Sequence, residues 1–164
     1  MGVENRENGF SWGGGTVKVD ELSLSYLRKA QVRFKALFFY KDNEAYSDVV
    51  REAQELVELL LKAVLRAIGV EVPKVHDVSR TLEKHRSLLP PALIESLDDI
   101  KKISKRLRKE RELSFYGAED FIPTEEYGLE DAEMAINDAG FVLQAVQKVF
   151  TDPEKNNKKD RAER

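Results

Sequence analysis

Residues Glu44 to Ile68 constrain the fold of this chain more than any other stretch. Val49, Ala53, Leu56, Leu60, Val64 and Ile68 recur at three- and four-residue spacing, the period of one helix face. Gly69 follows the last of them, and glycine most easily takes the left-handed conformation that ends a helix. A long helix with one apolar stripe cannot bury that stripe alone, so the chain must supply further elements to cover it.

The rest of the pattern supplies helices. Asp20 can cap a first one, whose apolar residues Leu22, Tyr26, Leu27, Ala30, Phe34, Leu37 and Phe38 run to about Tyr40. Lys41, Asp42 and Asn43 then form a turn. Asp77 can cap a third helix with Val78, Leu82, His85 and Leu89 aligned. Pro90 and Pro91 end it and open a fourth, to about Ser114, because proline is tolerated in a first turn. A loop with Gly117, Pro123 and Gly128 leads to a fifth helix, Leu129 to Phe150, with Ala132, Ala135, Ile136, Ala139, Val142, Leu143, Val146 and Phe150 inward. Its small residues Ala132, Ala135, Ala139 and Gly140 predict close packing on a neighbour. No window alternates strongly enough to demand a strand. The expectation is an all-α fold, an antiparallel four/five-helix up-and-down bundle over residues 19–150.

The ends read differently. Residues 1–18 carry five glycines and few apolar side chains, which predicts a flexible arm. Trp12 is the residue in it able to dock on the body or on a partner. Residues 151–164 are polar after a helix-stopping Asp-Pro and read as a charged flexible tail.

A body of this size buries roughly 70% of the surface its unfolded chain exposes, so it needs no staple. The absence of cysteine excludes a disulfide framework, a thiolate zinc site and a cysteine nucleophile. With two histidines, His76 and His85, no metal site and no cofactor are expected. No apolar run reaches spanning length, and MGVENRENGF lacks a basic region followed by an apolar one, so the expectation is cytoplasmic residence with no membrane contact. No Gly-rich loop precedes Lys-Ser/Thr, and no nucleophile elbow or E-x-x-H metal pair occurs.

Charge is nearly balanced overall, with 27 basic and 30 acidic residues, but unevenly placed. Lys101 to Arg111 holds seven bases and one acid, and Glu112 to Asp138 then holds nine acids and no base. On a helical wheel Lys101, Lys102, Lys105, Arg106, Arg108 and Lys109 form an outer arc, whereas Arg111 falls among Leu93, Leu97, Ile100 and Leu107. A cation on an inward stripe needs a partner. It is either a phosphate-binding arginine, suited by its planar five-donor fork, or one half of an ion pair with an acid such as Glu58 or Glu133. Lys105 and Arg108 join Arg111 as candidate phosphate ligands, against the plainer reading of a solvated face. No aromatic interleaves the basic run before Phe115, so no base-stacking platform is indicated.

The stretch Arg51–Leu89 resembles the central signature of the HEPN family (higher eukaryote and prokaryote nucleotide-binding domains). In that family an AxxAxExxLKAxLxxxG-like helix precedes P-K-x-H-D-[LV] and a leucine-bearing helix. The matching residues are Ala53, Glu58, Leu61, Lys62, Ala63, Leu65, Gly69, Pro73, Lys74, His76, Asp77, Val78 and Leu82. FYGAEDFIPTEEYGLEDAEMAINDA is similar to the family's aromatic, proline-bearing loop and alanine-rich last helix, so the resemblance covers roughly Leu22 to Phe150. It implies a HEPN-like bundle of the archaeal or bacterial single-domain type.

HEPN ribonucleases carry an R-x4-6-H motif near the end of the fourth helix. Here Arg111 is present and Tyr116 stands at the histidine position. An unperturbed tyrosine has a pKa of about 10 and is a poor base near neutrality. Arg80 and His85 satisfy the spacing literally in RTLEKH, but they lie in the third helix and about 140° apart on it. There His85 reads as a packed histidine or, as the alternative, a catalytic one. His76 and Asp77 match the family's H-D pair and read as a helix entry and cap.

The resemblance implies a nucleotide- or RNA-phosphate-binding protein acting through Arg111, noncatalytic or weakly catalytic. It also implies a homodimer with the fourth helices apposed, a minimal nucleotidyltransferase partner, and a toxin–antitoxin-like or stress-response setting. Two other readings stay open. One is a metal-independent endoribonuclease with Tyr116 or His85 replacing the usual histidine. The other is a purely structural helical interaction module.

Overall fold

The computed structural model describes residues 8–12, 14–74 and 78–151. The order is β1 (Asn8–Trp12), β2 (Gly15–Val19), α1 (Glu21–Asp42), α2 (Tyr46–Ala67), α3 (Val78–Lys84), α4 (Pro91–Ile94), α5 (Leu97–Phe115), α6 (Pro123–Glu126) and α7 (Leu129–Val149). The fold is all-α in its body. Helix α2 is central, packed against α1, α5 and α7, with α3 covering part of it.

Local chemistry explains how α1 and α2 pair. The Asp20 carboxylate accepts the Ser23 N–H at 2.7 Å, capping α1, and also meets Arg66 Nε from the last turn of α2 at 2.8 Å. One residue thus starts α1 and ties it to the end of its antiparallel neighbour; the cap alone contributes about 1 kcal/mol. The α2 stripe behaves as its spacing predicts: Val49, Ala53, Leu56, Leu60 and Val64 are wholly inaccessible and Ile68 is buried. Gly69 takes φ +78°, its N–H reaches Arg66 O at 3.1 Å, and Val70 N–H reaches Leu65 O at 2.9 Å. These bonds satisfy carbonyls that the helix end would otherwise leave open. In α7, an added Cβ at Gly140 would stand 3.4 Å from the Phe34 ring, so a small residue sets how near α7 lies to α1.

Four expectations are corrected. From Asn8 onward the arm is a β-hairpin with Trp12 opposite Gly15, and Val17 is completely buried in the core. Trp12 packs half-buried against the body, and Gly14 and Gly15 lie beside its indole and the carbonyls of Ser87 and Leu88. The third helix ends at Lys84 and continues as a 3-10 turn over Arg86–Leu88, with Leu89 still buried. The fourth helix breaks at Glu95 and Ser96. That break lets Leu93 be buried where α4 packs on α7, while Leu97 and Ile100 are buried where α5 packs on α2. Leu22 and Phe38, at the two ends of the α1 stripe, are 41% exposed because α1 is covered along only one narrow face.

His76 and Asp77 lie outside the described residues. No described helix is long and apolar enough to cross a membrane.

Candidate functional site

Helix α5 carries most of the candidate residues, and its neighbours decide what each can do. Near its C-terminus, Arg111 is inward as the wheel predicts, with its side chain 25% exposed. Its Nη2 lies 3.6 Å from Glu55 Oε1 of α2, and Arg51 Nη2 reaches the same oxygen at 2.9 Å. The acids expected opposite Arg111 were Glu58 and Glu133; packing also brings Glu55, one turn earlier on α2, within ion-pair distance. Glu58 holds Lys62 at 2.6 Å and accepts from Gln54 Nε2 at 3.0 Å, so two of the signature residues form one pair.

Arg51 also stands 5.4 Å over the ring of Phe115, within cation–π range. Phe115 is 53% exposed and Tyr116, which ends α5, is 79% exposed; their rings meet edge to face at 4.8 Å. Two guanidiniums therefore share a single carboxylate beside two exposed aromatic rings. Arg51, Glu55 and Phe115 escaped the sequence reading. The i,i+4 pair Arg51–Glu55 was visible, but only packing shows that it lies opposite Arg111.

Lys105 and Arg108 stand elsewhere. They share a groove of about 680 Å³ between α3 and α5, with Arg80 and Glu83 on one wall and Lys101 and Lys102 on theirs. Arg111, Tyr116 and His85 do not line it. Lys101 engages Glu83 at 3.2 Å, and Arg86 reaches Glu83 from outside the groove, also at 3.2 Å. Those two cations hold the Glu83 carboxyl below its ordinary range, the Lys101 contact foremost.

His85 sits half-buried at the end of α3, where its Nδ1 lies 2.9 Å from Thr81 O. Donation to that carbonyl uses one ring nitrogen on its own helix, as suits a packed histidine. Arg80 is exposed, as expected.

The opposite flank of α5 faces α7, where smaller cavities of about 170 and 310 Å³ lie beside an ion pair and a buried hydrogen bond. Arg106 donates to Asp138, with Nε at 3.1 Å. Tyr127 is buried, and its hydroxyl donates to Glu110 at 2.7 Å. Burial, then the negative charge of Glu110, pushes the Tyr127 phenol well above the ordinary tyrosine value. Among the described residues no three His, Cys, Asp or Glu side chains gather as a metal site would require.

The HEPN domain model matches residues 23–149. The chain belongs to the HEPN family. The crystal structure of ST0689, an archaeal HEPN homologue, is similar with a TM-score of 0.62 at 24% identity, over 80% of this chain and 100% of that one. The crystal structure of TT1696 from Thermus thermophilus is similar with a TM-score of 0.61 at 19% identity, over 79% and 98%. At these identities both likenesses speak to the HEPN fold. A search of curated proteins finds no match.

Proposed function

We propose that this HEPN chain binds a nucleotide or RNA phosphate through Arg111, with Lys105 and Arg108 contributing, and does not run a histidine-dependent ribonuclease reaction. The observation that carries the reading is the cluster at the end of α5: Arg111 and Arg51 share Glu55 beside exposed Phe115 and Tyr116. A guanidinium one-quarter exposed and held in place by a shared carboxylate can meet a phosphate without the ordering cost of a mobile side chain. Tyr116 offers a ring and a hydroxyl where the family's nuclease motif has an imidazole. The family resemblance extends the proposal to a homodimer with the α5 helices apposed, a minimal nucleotidyltransferase partner and a toxin–antitoxin-like or stress-response role.

Two assays test this on the purified full chain. A mixed RNA substrate incubated with chelator should stay intact with both the wild type and Arg111→Lys, a variant that keeps charge but loses the fork. A nucleotide at a hundredfold excess over its Kd should stabilise the fold by about 2.7 kcal/mol, a gain that inorganic phosphate does not match and Arg111→Lys reduces. Cleavage that depends on Arg111 would make the protein a metal-independent endoribonuclease. If no nucleotide raises the melting temperature, the structural interaction module is the better account.

A further inference from the structure

Arg111 does not line the groove between α3 and α5, yet the two are linked along one row of side chains. Lys105, Arg108 and Arg111 are successive i,i+3 neighbours, a spacing that puts Cβ atoms about 5–6 Å apart on a helix surface. The row begins inside the groove and winds round α5 to the Arg51–Glu55–Arg111 cluster. Five cations line the groove among its described residues, against the two carboxylates of Glu83 and Asp98. Glu83 is already engaged by Lys101 and by Arg86 from outside. Lys105 is exposed and meets no carboxylate at ion-pair distance among the described residues.

Ligand length follows from helix geometry. Ten residues separate Lys101 from Arg111, which is roughly 15 Å of helix rise. A mononucleotide cannot touch both ends. A stacked strand advances roughly 3.4 Å per nucleotide, so about four or five nucleotides span the distance. At the far end, Tyr116 is exposed and Phe115 is exposed on the side that Arg51 does not cover, and such rings suit the unpaired bases of a single strand rather than a duplex.

Resting on the phosphate-binding reading of Arg111, we propose that the α3–α5 groove is a second phosphate station and that the two together hold a segment of single-stranded RNA. Lys105 and Arg108 carry the backbone between them, Arg80 closes the groove from α3, and Phe115 and Tyr116 take a base beside Arg111.

Fluorescence anisotropy on the full chain tests this with an unstructured 12-nucleotide RNA and, separately, a labelled mononucleotide triphosphate. Lys105→Glu should weaken RNA about tenfold and the mononucleotide only about threefold. Lys109→Glu makes the same charge change at an exposed position outside the groove and should weaken RNA less than threefold. Arg111→Lys should weaken both ligands. Equal losses from Lys105→Glu and Lys109→Glu would mean bulk charge and no groove. A mononucleotide as sensitive as RNA to Lys105→Glu would reduce the site to one nucleotide and end the strand proposal. Loss with Lys105→Glu but none with Arg111→Lys would sink the Arg111 reading and the spanning strand while leaving a groove that binds phosphate. Failure of the wild type to bind either ligand would overturn both ideas.

Discussion

The two flanks of α5 come from the same basic run and meet opposite fates. Toward α7, Arg106 is taken by Asp138, and Glu110 is capped by the Tyr127 hydroxyl. Toward α3, Lys101, Lys105 and Arg108 line an open groove in which Glu83 and Asp98 are the acids among the described residues. The acid-rich segment after Arg111 folds back along the α7 side, where its Asp138 and Tyr127 engage Arg106 and Glu110. A block of like charge in a sequence is therefore not one surface; each residue's role depends on the element packed opposite it.

Gly117 gives the largest way to break this contrast, because it turns the chain back toward the α7 flank. It has φ +69°, and an added Cβ would fall 2.4 Å from Phe121 O and 2.7 Å from Pro123 Cδ. Gly117→Ala should cost about 3 kcal/mol in chemical unfolding, through strain and clash together. Gly69→Ala is the control, because its Cβ meets nothing within 4 Å, and it should cost only about 1 kcal/mol. Equal costs would mean that the loop yields and does not fix the flank.

Tyr127→Phe comes next. Losing the donor to a carboxylate should cost about 1.5 kcal/mol and leave RNA affinity unchanged, because this flank is structural. A drop in RNA affinity would erase the distinction between flanks. Asp138→Asn removes a surface ion pair and should cost under about 1 kcal/mol. By releasing Arg106 it should raise RNA affinity two- to threefold in anisotropy titrations; a fall would show that the α7 flank already takes part in binding.

The smallest effect is alkaline. The Tyr127 phenol is raised in the fold, so its stabilisation is complete below the ordinary tyrosine pKa of about 10 and is lost as pH rises toward its folded value. Phenolate absorbance should show one tyrosine titrating after the others, and Tyr127→Phe should remove that late step.

The helices were readable because their causes are local. The α2 stripe, the Asp20 cap and the Gly69 stop are each written within a few residues, and each stands where its chemistry predicts. The hairpin is not legible in the same way, because a glycine run reads first as chain entropy. A glycine run also fits the short connection of a tight hairpin, and the pairing of Trp12 with Gly15 and the burial of Val17 are what tertiary structure adds. The break after α4 was hidden because both halves bury leucines at helical spacing, and only their different partners, α7 and α2, require a bend.

The site divides in the same way. The chain alone marked Arg111 as the inward cation of a basic run, since helical period suffices for that, whereas Tyr116 in the place of a histidine and Arg80–His85 as a spacing match on another helix follow from the resemblance to the HEPN ribonuclease motif. That Glu55 answers Arg111, that Arg51 covers Phe115, and that Lys105 and Arg108 open into the groove beside α3 while Arg106 turns to Asp138 of α7, was decided by packing. Periodicity states which way a side chain faces along its own helix. What it meets there depends on residues far away in sequence, brought opposite only when α2, α3 and α7 close around α5.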